Sequence, residues 1–389
     1  MCSATLEFLK SNKLSDLISV GVYPKLTACK RFVNLDYDQI EAKNGHVLVE
    51  ECRGLVLRKK NHEVFNEDFS DSGEFIVCAR PMKRFYHYDS GFAPKLDIES
   101  SYVMEKLDGS CIKVWWNNID NVFNIGTRGT AIADVNIGGM HKESSHTFTT
   151  LFQEIVGNWE EFCSTLDKSK TYVFELCSLS NQVVVAYYEP FISLLAVIET
   201  ATGKEENIWD LPPSKFYKPV KRFNLSSKEE MFDFLLNQDP SEFEGFVLMD
   251  KSFNRAKCKH PGYDNLNGLK NALSSYRNVL SLILLGKIDD ILPILHGEML
   301  EECLKQQEKM RVFINENEKI WSENKGKFST RKDFAIWCQK NKLDISFYSK
   351  LYENKVSTFK DAVVESGKGP DKSYIPSFLD KLYSTLNPK

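Results

Sequence analysis

The chain has 389 residues, 42% of them hydrophobic, so it can bury a large core and should form two or three domains. Its formal net charge of −4 excludes a protein that coats nucleic acid through bulk positive charge, so any such contact must come from local basic clusters. The 10 cysteines are scattered singly, without C-x-x-C spacing or histidine pairing, which predicts reduced thiols and no structural zinc.

The first 260 residues are predicted to consist mainly of short strands. A short helix is predicted at residues 6–17, followed by a turn at Pro24. From about residue 32 to about residue 260 the pattern is alternating or apolar, which is typical of strands, as at residues 75–78, 123–126 and 191–198. Helical segments are predicted to interrupt the strands at residues 149–166 and 227–236.

Helical periodicity replaces the strand pattern after residue 260. It predicts helices at residues 269–285, 288–294 and 298–321, the last with one apolar face (Cys303, Met310, Phe313, Ile314, Trp321). A polar linker at residues 322–327 precedes apolar clusters that indicate three more helices, near residues 334–337, 347–351 and 378–382. The sequence therefore predicts an α+β domain with antiparallel sheets at residues 1–260 and an all-helical domain at residues 261–389.

The most informative motif is Lys106-Leu107-Asp108-Gly109. Strand-like runs flank it at residues 102–104 and 111–116, so the lysine is expected to leave a strand facing a pocket while the chain turns back at the glycine. Alone, Lys-x-Asp-Gly carries little weight, because most matches would be ordinary exposed hairpins.

Further charges are embedded in strand-like runs downstream. Glu175 interrupts an apolar run at residues 171–177, Glu244 opens another, and Lys257 and Lys259 should project from one face of their strand. Any one of them could equally face water on an edge strand. Together, however, a lysine, two separate carboxylates and a pair of cations are the parts of a nucleoside triphosphate site with metal ligands.

The ordered set resembles motifs I, III, IV and V of the covalent nucleotidyltransferases, which include ATP-dependent DNA ligases, RNA ligases and messenger-RNA capping enzymes. Two upstream segments, Glu51-Cys52-Arg53-Gly54 and Arg80-Pro81-Met82-Lys83-Arg84-Phe85, narrow the resemblance to phage RNA ligases that reseal broken tRNA anticodon loops. Thr127-Arg128-Gly129-Thr130 is similar to the "SKGS" segment of those enzymes, with arginine in place of lysine. The resemblance covers roughly residues 30–290.

The resemblance implies the chemistry of the first domain, an adenylyltransferase. Lys106 would attack the α-phosphate of ATP, release pyrophosphate and carry lysyl-AMP, with Mg²⁺ or Mn²⁺ and with Lys257, Lys259 and Arg53 compensating charge. Glu175 would contact the ribose or orient a hydrated metal, and Glu244 would bind the metal. The AMP would then pass to a 5′-phosphate end, and a 3′-hydroxyl would displace it.

Supporting roles follow from the same resemblance. Asp108 and Gly109 would shape the loop, Lys83 and Arg128 would belong to the ATP site, Tyr37 to the nucleotide pocket, Tyr263 to the reaction centre and Asp289 to a metal site, while the Phe85 ring suits base stacking. Each has a plain structural alternative. A surface lysine, a packed tyrosine, or an aspartate at a helix N-terminus would look the same in sequence.

Three alternatives stay open. A capping guanylyltransferase would use the same lysine with GTP, and a DNA ligase would use it with ATP, but both normally carry an OB-fold after motif V where this chain becomes helical. A catalytically silent RNA-binding relative would not need every charged residue of the four motifs.

The expected substrate is a tRNA anticodon stem-loop or another RNA with 5′-phosphate and 3′-hydroxyl ends, selected by the helical domain. A cluster of cations around one linker could bind its phosphates, and a solvated interhelical loop is the equally open alternative (Lys319, Lys325, Lys327, Arg331 and Lys332). We also expect a monomer in the cytoplasm, without a signal peptide or membrane span, working beside a polynucleotide kinase/phosphatase.

Overall fold

The computed structural model of the chain describes residues 3–137, 146–273, 275–292, 295, 297–369 and 374–388. The chain divides into two compact units, Met1–Asn267 and Gly268–Lys389. The division falls inside a helix, Pro261–Leu273, which begins where the sequence pattern changes from strand to helix.

The first unit holds the strands. In chain order they are β1 (Val22–Leu26), β2 (Val33–Tyr37), β3 (Leu55–Lys59), β4 (Phe75–Ala79), β5 (Tyr86–His87), β6 (Tyr102–Glu105), β7 (Ser110–Asn117), β8 (Val122–Thr127), β9 (Lys170–Cys177), β10 (Phe191–Glu199), β11 (Glu205–Glu206), β12 (Lys218–Pro219), β13 (Arg222–Phe223), β14 (Gly245–Met249) and β15 (Arg255–Lys259). The strands predicted at residues 75–78, 123–126 and 191–198 are confirmed as β4, β8 and β10.

The strands form three sheets. Sheet 1 has the order β1-β2-β3-β4, sheet 2 the order β11-β10-β9-β7-β8 with β12 added beside β10, and sheet 3 the order β13-β6-β14-β15-β5. Only the two short pairings of β12 with β10 and β5 with β15 are parallel among these strands. The predicted α+β class with antiparallel sheets is confirmed.

The largest core of the first unit joins sheets 2 and 3. Alternate residues of β6 point to different cores, since Met104 packs with Ile112 and Phe174 of sheet 2 whereas Val103 packs with Phe246 and helix residue Leu235. The chain thus leaves sheet 3 at Glu105 and enters sheet 2 at Ser110, and the Lys106-to-Gly109 segment connects the two sheets.

The prediction that the chain turns back at Gly109 is wrong. β6 pairs with β13 and β14, whereas β7 pairs with β8 and β9, so the two flanking strands belong to different sheets. A hairpin needs two neighbouring edges that are free to pair. Here β6 is paired on both edges with the distant strands β13 and β14, and β7 is paired with the next strand, β8, and with the distant strand β9.

The N-terminal segment also differs from the prediction. One helix was expected at residues 6–17, but α1 (Ala4–Leu9) ends early and a 3₁₀ helix follows at Leu14–Val20. The Asn12 side chain donates to the Phe8 carbonyl, a local bond that competes with continuing the helix. Pro24 does not mark a turn; it lies in β1, an edge strand where a missing backbone N–H is tolerated.

The remaining helices of the first unit are short. They are α2 (Val47–Glu51), α3 (Phe148–Val156), α4 (Trp159–Ser164) and α5 (Lys228–Leu236), and the helix noted above, α6 (Pro261–Leu273), contains the division between the units. The single helix predicted at residues 149–166 is divided because Gly157 has a φ of 76° and the Asn158 side chain caps a new helix. The predicted helix at residues 227–236 is confirmed, with Ser227 as its N-cap.

The second unit is helical throughout its described residues, apart from one isolated bridge. Its elements are α7 (Tyr276–Leu284), a 3₁₀ helix at Ile288–Asp290, α8 (Gly297–Asn324), α9 (Arg331–Lys340), α10 (Ile345–Tyr352), α11 (Phe359–Gly367) and α12 (Pro376–Leu386). The helix predicted at residues 269–285 is split between α6 and α7, and part of the one predicted at 288–294 lies outside the described residues.

The apolar face predicted for α8 is confirmed, because Cys303, Met310 and Trp321 are buried. The last three predicted helices correspond to α9, α10 and α12, and the sequence analysis missed α11. Its signal was present: Thr358 and Asp361 exchange the hydrogen bonds of an N-terminal capping motif.

The nine cysteines within the described ranges carry free thiols, and Cys52, Cys177 and Cys258 are buried. Across the same ranges, none of the helices is both long and apolar enough to span a bilayer.

Candidate active site

A cavity of about 420 Å³ is lined by residues of sheets 2 and 3 and of the segments that join them. Cavities of roughly 300–1,000 Å³ are typical of small-molecule sites. Six of the predicted site residues contribute to its wall: Arg53, Phe85, Lys106, Gly109, Arg128 and Glu175. Met82, Met104, Leu195 and Val247 supply apolar surface.

Lys106 follows directly on β6 and is held at both ends of the residue. Its backbone N–H donates to the Gly245 carbonyl at 2.8 Å, and its Nζ donates to Glu244 Oε2 at 2.7 Å. Gly245 has a φ of 145°, and a Cβ there would lie 2.2 Å from the Cys258 carbonyl oxygen. The Glu-Gly pair therefore places one buried carboxylate against the lysine amine, and the glycine permits the close approach of β14 to β15.

Glu244 joins two lysines. Its Oε1 lies 3.0 Å from Lys259 Nζ, and its side chain is only 4% exposed. Lys259 also contacts Asp264 at 3.4 Å. Burial lowers the pKa of Lys259, but the adjacent carboxylates of Glu244 and Asp264 outweigh that effect and raise it. Lys259 is thus held as a cation beside Lys106.

Lys257 lies two residues earlier on β15 and has a different environment. Burial, reinforced by the cations Lys259, Lys106 and Arg53, lowers its pKa to about 8, and Glu244 opposes the shift only in part. The predicted pair on one face of a strand is therefore chemically unequal. Lys259 is kept charged by its pairs with Glu244 and Asp264, whereas Lys257 stands among cations and would be stabilised by an incoming anion.

Glu175 lies on β9 opposite Cys111 of β7. Its Oε1 accepts the Gly109 backbone N–H at 3.2 Å. Burial raises the pKa of this carboxyl to about 7; Glu244 adds to the shift, while Lys106 and Arg53 oppose it. Glu175 is therefore poised to change protonation state near neutral pH, when a cation or metal arrives.

Asp108 is a buried anchor for the loop. Its Oδ2 accepts the backbone N–H groups of Val184 at 2.6 Å and Val185 at 2.7 Å, and its Oδ1 accepts the Tyr263 hydroxyl at 2.5 Å. Its own N–H donates to Tyr187 Oη at 3.1 Å. These hydrogen bonds, including the one from the buried Tyr263, thus fix the position of the Lys106-to-Gly109 loop at Asp108.

Gly109 completes the loop by close packing. A Cβ at this position would lie 2.2 Å from the Leu176 carbonyl oxygen and 2.9 Å from Cys177 Sγ. The residue must therefore be glycine for β7 to begin beside β9.

Two arginines approach the cavity from sheet 1 and from the end of β8. Arg53 donates to Cys111 Sγ at 3.9 Å and lies over the Phe85 ring, with 5.6 Å to its centroid. Arg128 donates to Asp36 Oδ2 at 3.0 Å. Burial raises the pKa of Asp36, although Arg128 opposes the shift.

Tyr37, predicted for the nucleotide pocket, is a packing partner of these cations. Arg84 lies 4.3 Å and Arg128 5.3 Å from the centroid of its ring. The tyrosine thus orients Arg128 from the side and is not among the residues that line the cavity.

Two predicted residues make none of the contacts described above and are not among the residues that line the cavity. Lys83 is exposed, on the segment that carries the cavity residues Met82 and Phe85. Asp289 belongs to the second unit, where it accepts a hydrogen bond from Gln307 at 2.7 Å. Within the described ranges, groups of three or more His, Cys, Asp or Glu residues that could bind a metal by themselves are absent.

The sequence analysis missed several functional candidates. Glu105 and Arg255 line the cavity, and Arg255 is itself paired with Glu205. Tyr187 supports Asp108, and Lys113 is fully buried in β7. A charge embedded in an apolar strand was the signal that identified Glu175, and the same signal is present at Lys113, between Ile112 and Val114.

The arrangement suits covalent chemistry on a phosphate. An amine lies within hydrogen-bond distance of a carboxylate that can accept its proton, and Lys257, Arg53 and Arg128 provide positive charge for an anion. The apolar wall of the same cavity could hold a base.

Comparisons with known proteins agree with this chemistry. A family model described as RNA ligase matches residues 51–263, which is more than half of the 389 residues. A protein of Autographa californica nuclear polyhedrosis virus, described as a bifunctional polynucleotide kinase/RNA ligase, is 28% identical over 270 residues, or 67% of this chain. The chain spans only 37% of the length of that relative.

Solved structures with a related arrangement are more distant. An archaeal ATP-dependent RNA ligase is 14% identical, with a TM-score of 0.42, and the match covers 68% of this chain and 64% of that one. A DNA ligase from Aquifex aeolicus is 13% identical, with a TM-score of 0.40 over 90% of this chain and 76% of that one. A Naegleria gruberi RNA ligase variant solved with ATP and Mn is 14% identical, with a TM-score of 0.34 over 44% and 52% of the two chains.

Proposed function

Because the chain belongs to the RNA ligase family, we propose that it is an ATP-dependent RNA ligase that joins 5′-phosphate and 3′-hydroxyl ends through lysyl-AMP and RNA-adenylate intermediates. The observation that carries the proposal is the position of the Lys106 amine. It lies 2.7 Å from the buried carboxylate of Glu244, and Lys106 lines a cavity together with Arg53 and Arg128.

In the first step, Lys106 Nζ attacks the α-phosphate of ATP and pyrophosphate leaves. The lysine proton has an acceptor at Glu244 Oε2, and negative charge on the phosphate oxygens is balanced by Arg53, Lys257 and Lys259. Burial among cations lowers the pKa of Lys257 to about 8, so a bound phosphate would stabilise its charged form. The product is an AMP joined to Lys106 by a P–N bond.

A divalent cation fits the carboxylates of this site. Mg²⁺ usually takes one or two protein carboxylates and completes its shell with waters and phosphate oxygens. Both oxygens of Glu244 accept from lysines, but each keeps a second lone pair, and Glu175 Oε1 accepts only one backbone N–H among the described contacts. Glu244 and Glu175 would hold Mg²⁺ or Mn²⁺, which supplies further charge neutralisation on the phosphates.

In the later steps the same residues act on the RNA ends. The AMP passes from Lys106 to a 5′-phosphate end, which returns the lysine to its free form and makes a good leaving group. A 3′-hydroxyl then attacks that phosphate and AMP departs. Charge compensation by Lys257 and the arginines is needed in each step, because every step is a displacement at phosphorus.

The alternatives use the same nucleophile with other substrates. A capping guanylyltransferase or a DNA ligase would place a strand-rich OB-fold after the final lysine pair, whereas the described residues after Lys259 are helical. A catalytically silent relative is disfavoured because Glu244 already contacts both Lys106 and Lys259.

Nucleotide choice tests the proposal directly. The chain incubated with α-labelled ATP and Mg²⁺ should retain label after denaturation, whereas α-labelled GTP should leave it unlabelled. GTP labelling would indicate a capping-type enzyme. Absence of label from both nucleotides would indicate a silent relative, and joining of nicked DNA in preference to RNA would indicate a DNA ligase.

For the natural substrate, we propose a tRNA broken in its anticodon loop, whose ends a polynucleotide kinase/phosphatase prepares in the same cytoplasm. The proposal draws on the resemblance to tRNA-repair ligases, and the viral relative is described as combining a kinase with a ligase. The second unit would select the folded RNA, since its exposed basic residues lie around the segment between α8 and α9 (Lys319, Lys325, Lys327, Arg331 and Lys332).

The variant Lys325→Ala/Lys332→Ala should therefore lower sealing of a nicked anticodon stem-loop by about tenfold at moderate salt, because two phosphate contacts are lost. Formation of lysyl-AMP should be unchanged. Lys340→Ala/Lys360→Ala, which removes two other exposed lysines of the unit, is the matched control. Equal loss with both variants, or equal loss on unstructured RNA, would contradict a role of this segment in substrate choice.

A further inference from the structure

Lys113 is a buried lysine that the proposed chemistry does not use. It is 2% exposed, and its Nζ donates to Asn34 Oδ1 at 2.6 Å and to the Gly54 carbonyl at 2.6 Å. We propose that Lys113 is a positioning residue that sets Arg53 and Arg128 for the phosphates of the bound nucleotide. The inference rests on the proposed function, since it assigns those arginines to ATP.

The first branch of the network leads to Arg53. Gly54, whose carbonyl accepts from Lys113, directly follows Arg53 and has a φ of 88°. Its N–H donates to the Leu35 carbonyl at 2.8 Å. Lys113 and β2 thus hold both sides of the residue that follows Arg53, and this fixes the point from which the guanidinium reaches the cavity.

The second branch leads to Arg128 through an amide. Asn34 is 1% exposed; while its Oδ1 accepts from Lys113, its Nδ2 donates to the Arg128 carbonyl at 3.0 Å. The two arginine segments also touch, because a Cβ on Gly54 would lie 2.8 Å from the Arg128 carbonyl oxygen. The Lys113 ammonium is therefore linked to the backbone of both arginine segments, directly at Gly54 and through Asn34 at Arg128.

The fold makes room for the lysine stem. Lys113 of β7 pairs with Gly126 of β8, and a Cβ on Gly126 would lie 2.7 Å from Lys113 Cε. The same Cβ would lie 2.5 Å from the Ala131 carbonyl oxygen. Gly126 thus leaves a channel through which the side chain passes from sheet 2 to sheet 1.

Packing alone does not account for a lysine here. Burial lowers the pKa of Lys113 to about 7, and the nearby Cys111 and Asp36 oppose that shift only in part, so the buried ammonium costs stability at neutral pH. An unbranched apolar side chain of similar length would fill the channel without that cost. It would not hold the Gly54 carbonyl and Asn34, so the benefit of lysine lies in what those two groups position.

Lys113→Met is the test, with Lys251→Met as a matched exchange at an exposed position of the same unit. The ATP concentration that gives half-maximal lysyl-AMP should rise by about tenfold in Lys113→Met, because displaced arginines bind the phosphates poorly. The melting temperature of Lys113→Met should fall only modestly, because removal of the buried ammonium offsets part of the cost of leaving two acceptors unpaired. Lys251→Met should match the unchanged chain in both measurements. In an Arg53→Ala/Arg128→Ala background, Lys113→Met should have less than about a twofold further effect.

Asn34→Asp provides a second variant in case the methionine chain does not fold. Aspartate keeps the acceptor for Lys113 but faces the Arg128 carbonyl with an oxygen, so the ATP requirement should again rise unless Arg128 is already alanine. An unchanged ATP requirement in the folded variants, or equal effects with and without the arginines, would overturn the assignment. If the unchanged chain itself forms no lysyl-AMP, the proposed function fails instead.

Discussion

Replacing Lys106 by alanine should abolish both AMP transfer to the protein and ligation of 5′-phosphate RNA. Lys259 is the second amine that contacts Glu244, but it is also paired with Asp264 and is not among the residues that line the cavity, whereas Lys106 lines the cavity. The measurement is retention of label from α-labelled ATP on denatured protein. In the unchanged chain that label should be lost in acid and kept in alkali, as expected of a phosphoramidate.

The same variant should still join pre-adenylated RNA slowly, because that step needs the cations of the site but not the nucleophile. Lys106→Arg is a useful companion, since it keeps a cation beside Glu244 without a nucleophilic amine. Full ATP-dependent labelling of Lys106→Ala would remove the residue from its assigned role.

Lys257→Met should slow lysyl-AMP formation by ~10²–10³-fold, the usual cost of losing one group that stabilises transition-state charge. The stability of the fold should not decrease. Lys257 is half-buried among Lys259, Lys106 and Arg53, and its pKa is lowered to about 8, so its removal relieves repulsion. We expect single-turnover labelling to fall while the melting temperature holds or rises.

The sign of the pH dependence makes this prediction sharper. A lysine whose folded pKa lies below its ordinary value costs stability while it is protonated, fully below about pH 8, and the cost disappears as the pH rises towards its unfolded value. The gain in melting temperature of Lys257→Met should therefore be largest near about pH 7 and small near about pH 10. A variant that is less stable at both pH values would indicate that Lys257 serves the fold.

Glu244→Gln is the informative contrast. Glu244 is 4% exposed and contacts both Lys106 and Lys259, so neutralising it leaves two half-buried lysines without their carboxylate. Glu244→Gln should therefore lower the melting temperature, whereas Lys257→Met should not. Glu244 thus stabilises the folded site through its ion pairs with Lys106 and Lys259.

The sequence by itself predicted a set of chemistry-bearing residues and most of the elements. Lys106, Glu175, Glu244 and the lysine pair were predicted because these charges are embedded in strand-like runs and their order resembles the motifs of a known superfamily. The strands β4, β8 and β10 and the buried face of α8 followed from periodicity, which is a local property of the chain. The antiparallel α+β class followed from the order of those elements.

The tertiary structure alone decided which strands pair and what the buried polar groups do. β6 and β7 looked like a hairpin because both runs that flank the motif are strand-like, but β6 pairs with β14 and β7 pairs with β9, and both partners are distant along the chain. Asp108 was expected to shape a loop, and only the fold supplies its partners Val184, Val185 and Tyr263. Lys113 is a second example. The sequence shows a charge within an apolar strand, but it does not show that Asn34 of sheet 1 and Gly54 accept its hydrogen bonds, because tertiary packing brings those acceptors to it.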